Sequence, residues 1–437
     1  MGYYYRQDGT WQKGTAHRQT DGQFQTASSG GSGSSSPSSA GGGFGWEQTF
    51  TDTSWLFDAD ANDQLAVEKV TTTGYSDSGG LEEAISNAGS DPAVIVFEVG
   101  GTIDMDGTTL EPGPQTWIAG ETAPDPGISL IRGGVEPRDD KIIVSHLGIY
   151  AGDGAGGVDS AIEPRGDDLI FDHCSAFWGV DEVVGMSDTQ HRVSLINTII
   201  AEGLDESKHN EGPHSRGYLI NETDCTELAT MGCLIASNNR RSPWAKSEMV
   251  LVNNLIYNHC SSPNEGGNII KVGSYSTPRP MTAKGIYLWP TEETQMSEEV
   301  FQLDGDLYID DVVANGHEMT DGSQDLVDSP PLLPDGLSLA DTTAAADMPQ
   351  FIRQVCGMRP ESRPPADQRF FTDRFDGTFT GTIDSQEEVG GYPDYETTTR
   401  TLQVPETSIF EWVRKYTNAV AATDTGTEED SGSSSLN

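Results

Sequence analysis

Short β-rich runs recur through the middle of the chain: Lys141–Tyr150, Asp168–Cys174, Val193–Ile200, Met231–Ala236 and Val250–Tyr257. Turn residues separate them, which excludes a long-helix fold. Aligned, they place Leu147, Asp172, Asn197, Gly232 and Asn253 in one register, with one longer step before Gly232 that fits a loop insertion. A structural unit that repeats without repeating its sequence is the mark of a coil whose turns bury their apolar faces only by stacking. The expected architecture is all-β: a right-handed parallel β-helix, with Ile149, Cys174, Ile199, Leu234 and Leu255 as one inward stack. Asn197 and Asn253 would sit at coil corners and bond the turns above and below.

The ends of the chain differ from this middle. Residues 1–27 are aromatic and contain an echo, Arg6-Gln7-Asp8-Gly9-Thr10-Trp11 and then Arg18-Gln19-Thr20-Asp21-Gly22-Gln23-Phe24. Asp-Gly flanked by aromatics predicts hairpin turns. This segment escapes the acidic bias of the rest, which suggests attachment to another protein. Residues 28–45 form a Gly/Ser linker, 46–405 hold the β-helix, 406–422 form a C-terminal helix on its flank, and 423–437 are a disordered acidic tail. The helix is expected to open on a capping box of Ser408 with Glu411, followed by Ile409, Trp412, Val413, Tyr416 and Val420 at helical spacing. No other helix is expected.

Asp and Glu number 69 against 25 Lys and Arg, for a net charge of −44. A surface this acidic does not suit nucleic acid, but it stays soluble in a high-salt environment, where self-repulsion is screened. A halophilic host is therefore expected. The five cysteines form no CxxC pair, so zinc and redox motifs are absent; they read as small buried hydrophobes, with a Cys225–Cys233 bridge left open. No apolar run approaches the roughly 20 residues of a membrane span. The start at Met1 shows neither a secretory nor a twin-arginine signal.

Candidate chemistry lies between Asp159 and Asn254. Residues on neighbouring coils stack about 4.8 Å apart, so carboxylates from successive coils can converge on one hard cation such as Ca²⁺, which takes six to eight oxygens. Asp159 and Glu182 are the candidate metal ligands, with Asp181 as neighbour. Basic residues are scarce, so the grouping of Arg240, Arg241 and Lys246 one or two coils further on, with Lys208 between, points to an anionic substrate held by carboxylate–cation pairs. His209 and His214 read as hydrogen-bonding or loop-packing residues.

At these positions the sequence resembles the pectate lyase family of polysaccharide lyases, in the branch with a DHCS-x-x-W-x-x-DE block. The resemblance begins at Gly80-Leu81-Glu82-Glu83-Ala84-Ile85 and Val94–Ile103. It continues through Trp117–Pro124, Asp172–Glu182, Arg241-Ser242-Pro243 and Asn253-Asn254, and ends at Gly390-Gly391-Tyr392-Pro393. It implies Ca²⁺-dependent β-elimination on a uronate chain, in which the metal binds the sugar carboxylate and acidifies the adjacent C5 proton. It implies further that Asp159 and Glu182 bind calcium, that Arg241 takes the proton, and that Lys208 and Lys246 hold the carboxylate. The family's Arg-Asn-Pro-Arg reads Arg241-Ser242-Pro243-Trp244 here, so the second arginine is lost unless Lys246 serves in its place. The usual carboxylate just upstream of Asp159 is Gly157.

Three functions follow as expectations. The first is a lyase acting on acidic surface glycan. The second is a non-catalytic adhesion protein of a haloarchaeal virus particle, anchored through residues 1–27 to a virion or surface assembly. The third is a secreted halophilic pectate lyase. All three place the protein outside the cell or on a virion surface; homo-oligomerisation is left open.

Overall fold

The computed structural model describes residues 2–5, 11–14 and 43–421, apart from 155, 157, 263–266, 275–276, 303–304, 321, 323–324 and 376–380. The hairpin expected around Asp8-Gly9 has its two arms there, Gly2–Tyr5 pairing antiparallel with Trp11–Gly14. The second echo, most of the linker and the acidic tail lie outside the described residues.

From Ala66 to Leu326 the chain winds as a right-handed parallel β-helix. Three ladders run its length. The first passes from Ala66–Val70 through Ala93–Phe97, Thr116–Ala119, Ile142–Ser145, Leu169–Asp172, Val193–Ile196 and Leu228–Met231 to Met249–Val252. The second passes from Val99–Asp104 through Ile128–Ile131, Leu147–Tyr150, Ser175–Phe177, Ile199–Ala201 and Leu234–Ala236 to Leu255–Tyr257. The long strand Met281–Trp289 then continues both. The third contains Glu182–Met186, Arg216–Ile220, Trp244–Ala245, Ile270–Val272 and Phe301–Gln302.

Left-handed residues make the corner between the first two ladders. His146, His173, Asn197, Gly232, Asn253 and Gly285 all have φ between 50° and 68°. A single αL residue turns an extended chain sharply without an insertion, and Asn and Gly carry that conformation at least cost.

This corner corrects the expected register. Asn197, Gly232 and Asn253 do share one column, but its members in the two earlier coils are His173 and His146, not Asp172 and Leu147. The slip matters because the side-chain period of a strand is two. The inward stack is Ile149, Ala176, Ile200, Ile235 and Ile256. Ile199, Leu234 and Leu255 point outward into a second buried layer. Cys174 remains inward, and all five cysteines are free and buried.

Two straps seal two of the three outer faces. Phe44, Trp55 and Leu56 join Ile409, Trp412 and Val413 over the first ladder. Ile352, Cys356, Phe370 and Phe375 cover the second. Helices α1 (Ser54–Ala61), α2 (Leu81–Ala88), α3 (Met348–Val355) and α4 (Pro365–Arg369) accompany α5 (Ile409–Ala421), so α5 is not alone as expected. These helices are short, and a short helix leaves little periodic signal. Ser408 is left-handed (φ 61°), which a capping box does not permit. The first amide of α5 is capped by tertiary contact instead: Ile409 N–H donates to Asp60 Oδ1 at 2.7 Å.

The corner asparagines also act differently from the expectation. Asn197 accepts from Phe44 N–H (2.9 Å) and donates to Phe44 O (2.8 Å), docking the first strap. Asn253 accepts from Thr343 N–H at 3.0 Å and donates to Thr343 O, docking a later segment. The coil-to-coil role falls to Asn254, which accepts from Cys233 N–H and donates to Thr230 O, both at 2.9 Å. Neither covering cluster includes a residue of the third ladder.

Candidate functional site

Along the third ladder, alternation sends Val184, Tyr218, Ala245 and Val272 into the core. The opposite row is Gly185, Leu219, Trp244, Lys271 and Gln302, in continuous register. The half-buried Trp244 ring is its centre. Lys271 Nζ lies 4.8 Å from the ring centroid, Lys246 Nζ 4.9 Å and the Arg241 guanidinium carbon 5.7 Å. Such distances fit cation–π attraction. Burial, with the charge of Arg241, holds the Lys246 ammonium below the ordinary lysine range against the opposing pull of Glu222. Burial and then Arg240 act likewise on Lys271, which Glu298 opposes and Arg241 reinforces. These cations are crowded together and would be relieved by an anion.

Arg241 forms an ion pair with Glu182, whose side chain is 6% exposed against 14% for the arginine. Its backbone is left-handed (φ 63°), and its N–H donates to Asn268 Oδ1 at 3.1 Å. Glu182 is in register with Arg216, which bridges to Arg240 one coil further. Lys246 donates to Asn221 Oδ1. Lys208 is exposed on the loop between Ile199–Ala201 and Arg216–Ile220.

Among the described residues, Asp159, Asp181 and Glu182 do not gather as a group of three ligand atoms. The exposed Asp159 offers its backbone carbonyl to Val180 N–H (2.7 Å) and Asp181 N–H (3.0 Å). Glu182 turns to Arg241, and Asp181 turns to the histidines. His214 Nε2 lies 3.0 Å and His209 Nε2 3.8 Å from Asp181 Oδ1. Burial opposes ionisation of Asp181, yet His214 first, then His209 and Arg241, hold its carboxyl below the usual range. Among the described residues, the one group of three ligand-type side chains that gathers is Asp181, His209 and His214. Calcium takes six to eight oxygens, and the described residues show no carboxylate group of that size here.

The DHCS-x-x-W-x-x-DE block divides in two. Its first half holds the straps. Asp172 accepts from Trp46 Nε1 (2.9 Å) and Asn197 Nδ2 (3.0 Å), Ser175 Oγ accepts from Met358 N–H (2.9 Å), and Trp178 Nε1 donates to Glu202, which Arg369 clamps. Its last two residues, Asp181 and Glu182, reach the third ladder. Sequence reasoning missed Lys271 and the central role of Trp244. The alternation Ile270-Lys271-Val272, with both flanking residues buried, was the available signal for the lysine.

The fold and this face together define a parallel β-helix protein with three cations gathered around Trp244 on its third ladder. No family model matches the sequence. Comparison with curated proteins finds a probable pectate lyase C of Aspergillus flavus, 30% identical over 265 residues, 59% of each chain. A probable pectate lyase C of Aspergillus fumigatus is 32% identical over 191 residues, 43% of this chain and 42% of the relative. Among solved structures, a pectate lyase bound to hexasaccharide aligns with a TM-score of 0.47 at 12% identity, covering 67% of this chain and 92% of that one. A Bacillus subtilis pectate lyase mutant aligns at 0.45 and 11% identity, covering 68% and 92%. Over these spans the β-helix segment is similar to pectate lyases. The chain spans no more than about three fifths of the length of these curated relatives.

Proposed function

We propose that the third-ladder face engages the carboxylates of a uronate-bearing polysaccharide. The observation that carries this reading is the gathering of Arg241, Lys246 and Lys271 around Trp244 in a chain with 69 acidic and 25 basic residues. Cations spent so sparingly and placed so closely favour an anionic ligand. The aromatic face between them offers an apolar surface for a sugar ring.

Lyase chemistry at this face would pass the C5 proton of a uronate to a neutral Arg241 guanidine; the C5–H electron pair forms the C4=C5 double bond, the C4–O4 bond breaks, and O4 leaves with the pair of that bond and takes a proton from water. Arg241 is the proposed proton-handling group, and Lys246 and Lys208 the proposed carboxylate holders. Glu182 already holds Arg241 in an ion pair. A substrate carboxylate must therefore compete with Glu182 before Arg241 can act. That same ion pair favours a second reading, in which the face retains binding with little turnover.

Calcium dependence, with Asp159 and Glu182 as ligands, is proposed from the family and needs these carboxylates to rearrange on loading. The proposed setting is extracellular or on a virion surface in high salt, with residues 1–27 attached to a structural protein. Among the described residues no helix is long and apolar enough to cross a membrane.

The test mixes the protein with polygalacturonate in molar salt, with and without Ca²⁺, and follows both binding and the ultraviolet absorbance of unsaturated uronate. Rising absorbance that disappears in Arg241→Ala supports the lyase. Binding with flat absorbance supports the adhesion reading. Neither binding nor turnover of polygalacturonate or of other acidic glycans overturns both.

A further inference from the structure

The geometry points to a transition-metal site built from Asp181, His209 and His214, separate from any calcium site and independent of the glycan reading. Its ligand atoms, one carboxylate oxygen and two imidazole nitrogens, lie within 4.8 Å of one another. The two Nε2 atoms stand 3.0 and 3.8 Å from Asp181 Oδ1. The ligand–ligand edge of a tetrahedral zinc site is about 3.3 Å, given metal–ligand bonds of about 2.0–2.1 Å. The observed edges bracket that value, so small side-chain movements would seat one ion.

His214 gives the second observation. Its side chain is 1% exposed, and its Nε2 has no hydrogen-bond partner although it faces the carboxylate. Its Nδ1 is turned to Gly212 O at 3.3 Å. A backbone carbonyl beside Nδ1 is the second-sphere partner typical of metal-bound histidine, and it leaves Nε2 turned toward the site. The His209 ring lies close by, tilted by 39° with ring centroids 3.7 Å apart. Its Nδ1 accepts from Glu211 N–H at 3.3 Å, and that contact would be given up when the ring takes the metal-binding tautomer.

The donor set selects the metal. Two imidazoles and one carboxylate suit Zn²⁺ or a neighbouring divalent transition ion and leave a fourth position open, whereas Ca²⁺ requires many more oxygens. The site would also be a staple. Both histidines belong to the loop that carries Lys208, and the base of that loop is closed by Ser215 N–H to Leu204 O (2.7 Å) and His214 N–H to Asp205 O (3.0 Å). Asp181 belongs to the preceding coil and immediately precedes Glu182. An ion here would tie the loop to the carboxylate side of the third-ladder face.

The experiment titrates chelator-stripped full-length protein with Zn²⁺ by calorimetry and with Co²⁺ by visible absorption. The expected result is one site per chain, tetrahedral Co²⁺ bands, and a rise in Tm with Zn²⁺. All three should be lost in His209→Ala and His214→Ala, and Ca²⁺ at the same concentration should produce none. Absent binding to the wild-type chain, or binding undiminished in both variants, overturns the site and leaves a histidine–aspartate ion pair. Because His209 lies on a surface loop, the Tm of its variant without metal serves as the folding control. Failure of glycan binding leaves these metal readouts unaffected.

Discussion

Arg241 reaches back across two coils to pair with Glu182, through a path in which Glu182 stands beside Arg216 and Arg216 beside Arg240. The pair ties the start of the third ladder's charged region to its aromatic centre. It also places the most chemically suggestive cation of the face under the control of a nearly buried carboxylate.

Removing one partner of this pair should cost more than removing both. Arg241→Ala takes an ion-pair partner from the nearly buried Glu182, for which a destabilisation of up to about 3–5 kcal/mol is expected. The double variant with Glu182→Ala should recover part of it, with a coupling of about 1–3 kcal/mol. Urea unfolding of the four proteins measures the cycle; additive effects would show that the pair is not coupled in solution.

Lys271, which the sequence motifs did not single out, should matter for binding. Lys271→Ala is expected to weaken polygalacturonate binding roughly tenfold at low salt, a step of about 1.4 kcal/mol. The effect should shrink in molar salt, where screening is nearly complete. Trp244→Ala should weaken binding by a similar factor but with less dependence on salt. Binding isotherms at two ionic strengths separate these outcomes.

Glu121 should make stability depend on pH. Burial pushes its carboxyl up to about 7, reinforced by the charge of Asp172 and resisted by hydrogen bonds from Ser145 and Thr417. The folded state therefore holds this proton more tightly than the unfolded chain, whose value is near 4.5. The contribution is fully present below the unfolded value and is lost as pH rises toward 7, by an amount of order 3 kcal/mol. Glu121→Gln should match the wild type near pH 4 and exceed it in Tm at pH 8. An identical difference at both pH values would sink the assignment.

Asn197 should act as the latch of the first strap. Asn197→Ala leaves the buried N–H and C=O of Phe44 and one bond to Asp172 unsatisfied. The expected cost is about 2–5 kcal/mol, at about 1–3 kcal/mol per orphaned group. Faster proteolysis near residues 43–46 would localise the loss.

Much of this fold is legible in the chain because coil stacking imposes a recurring strand, turn and strand. The runs from Lys141 to Tyr257 each become a strand or strand pair of the first two ladders. The slip at Asp172 and Leu147 was not legible. Both outer faces of those ladders are buried beneath straps, so inward and outward positions are equally apolar and the usual alternation is erased. The third ladder has an unsealed outer row, and there the alternation around Lys271 is readable.

Residue type and order along the chain determined the parallel β-helix, the resemblance to pectate lyases, and the candidacy of Arg241, Lys246, Asp181 and Glu182. Tertiary structure alone decided their partners. Glu182 meets Arg241, and Asp181 meets His209 and His214 from a loop of the next coil. Such pairings depend on side-chain direction and coil-to-coil offset over distances of a few ångströms. A linear pattern with loops of unequal length does not encode those distances, whereas the packed coil fixes them.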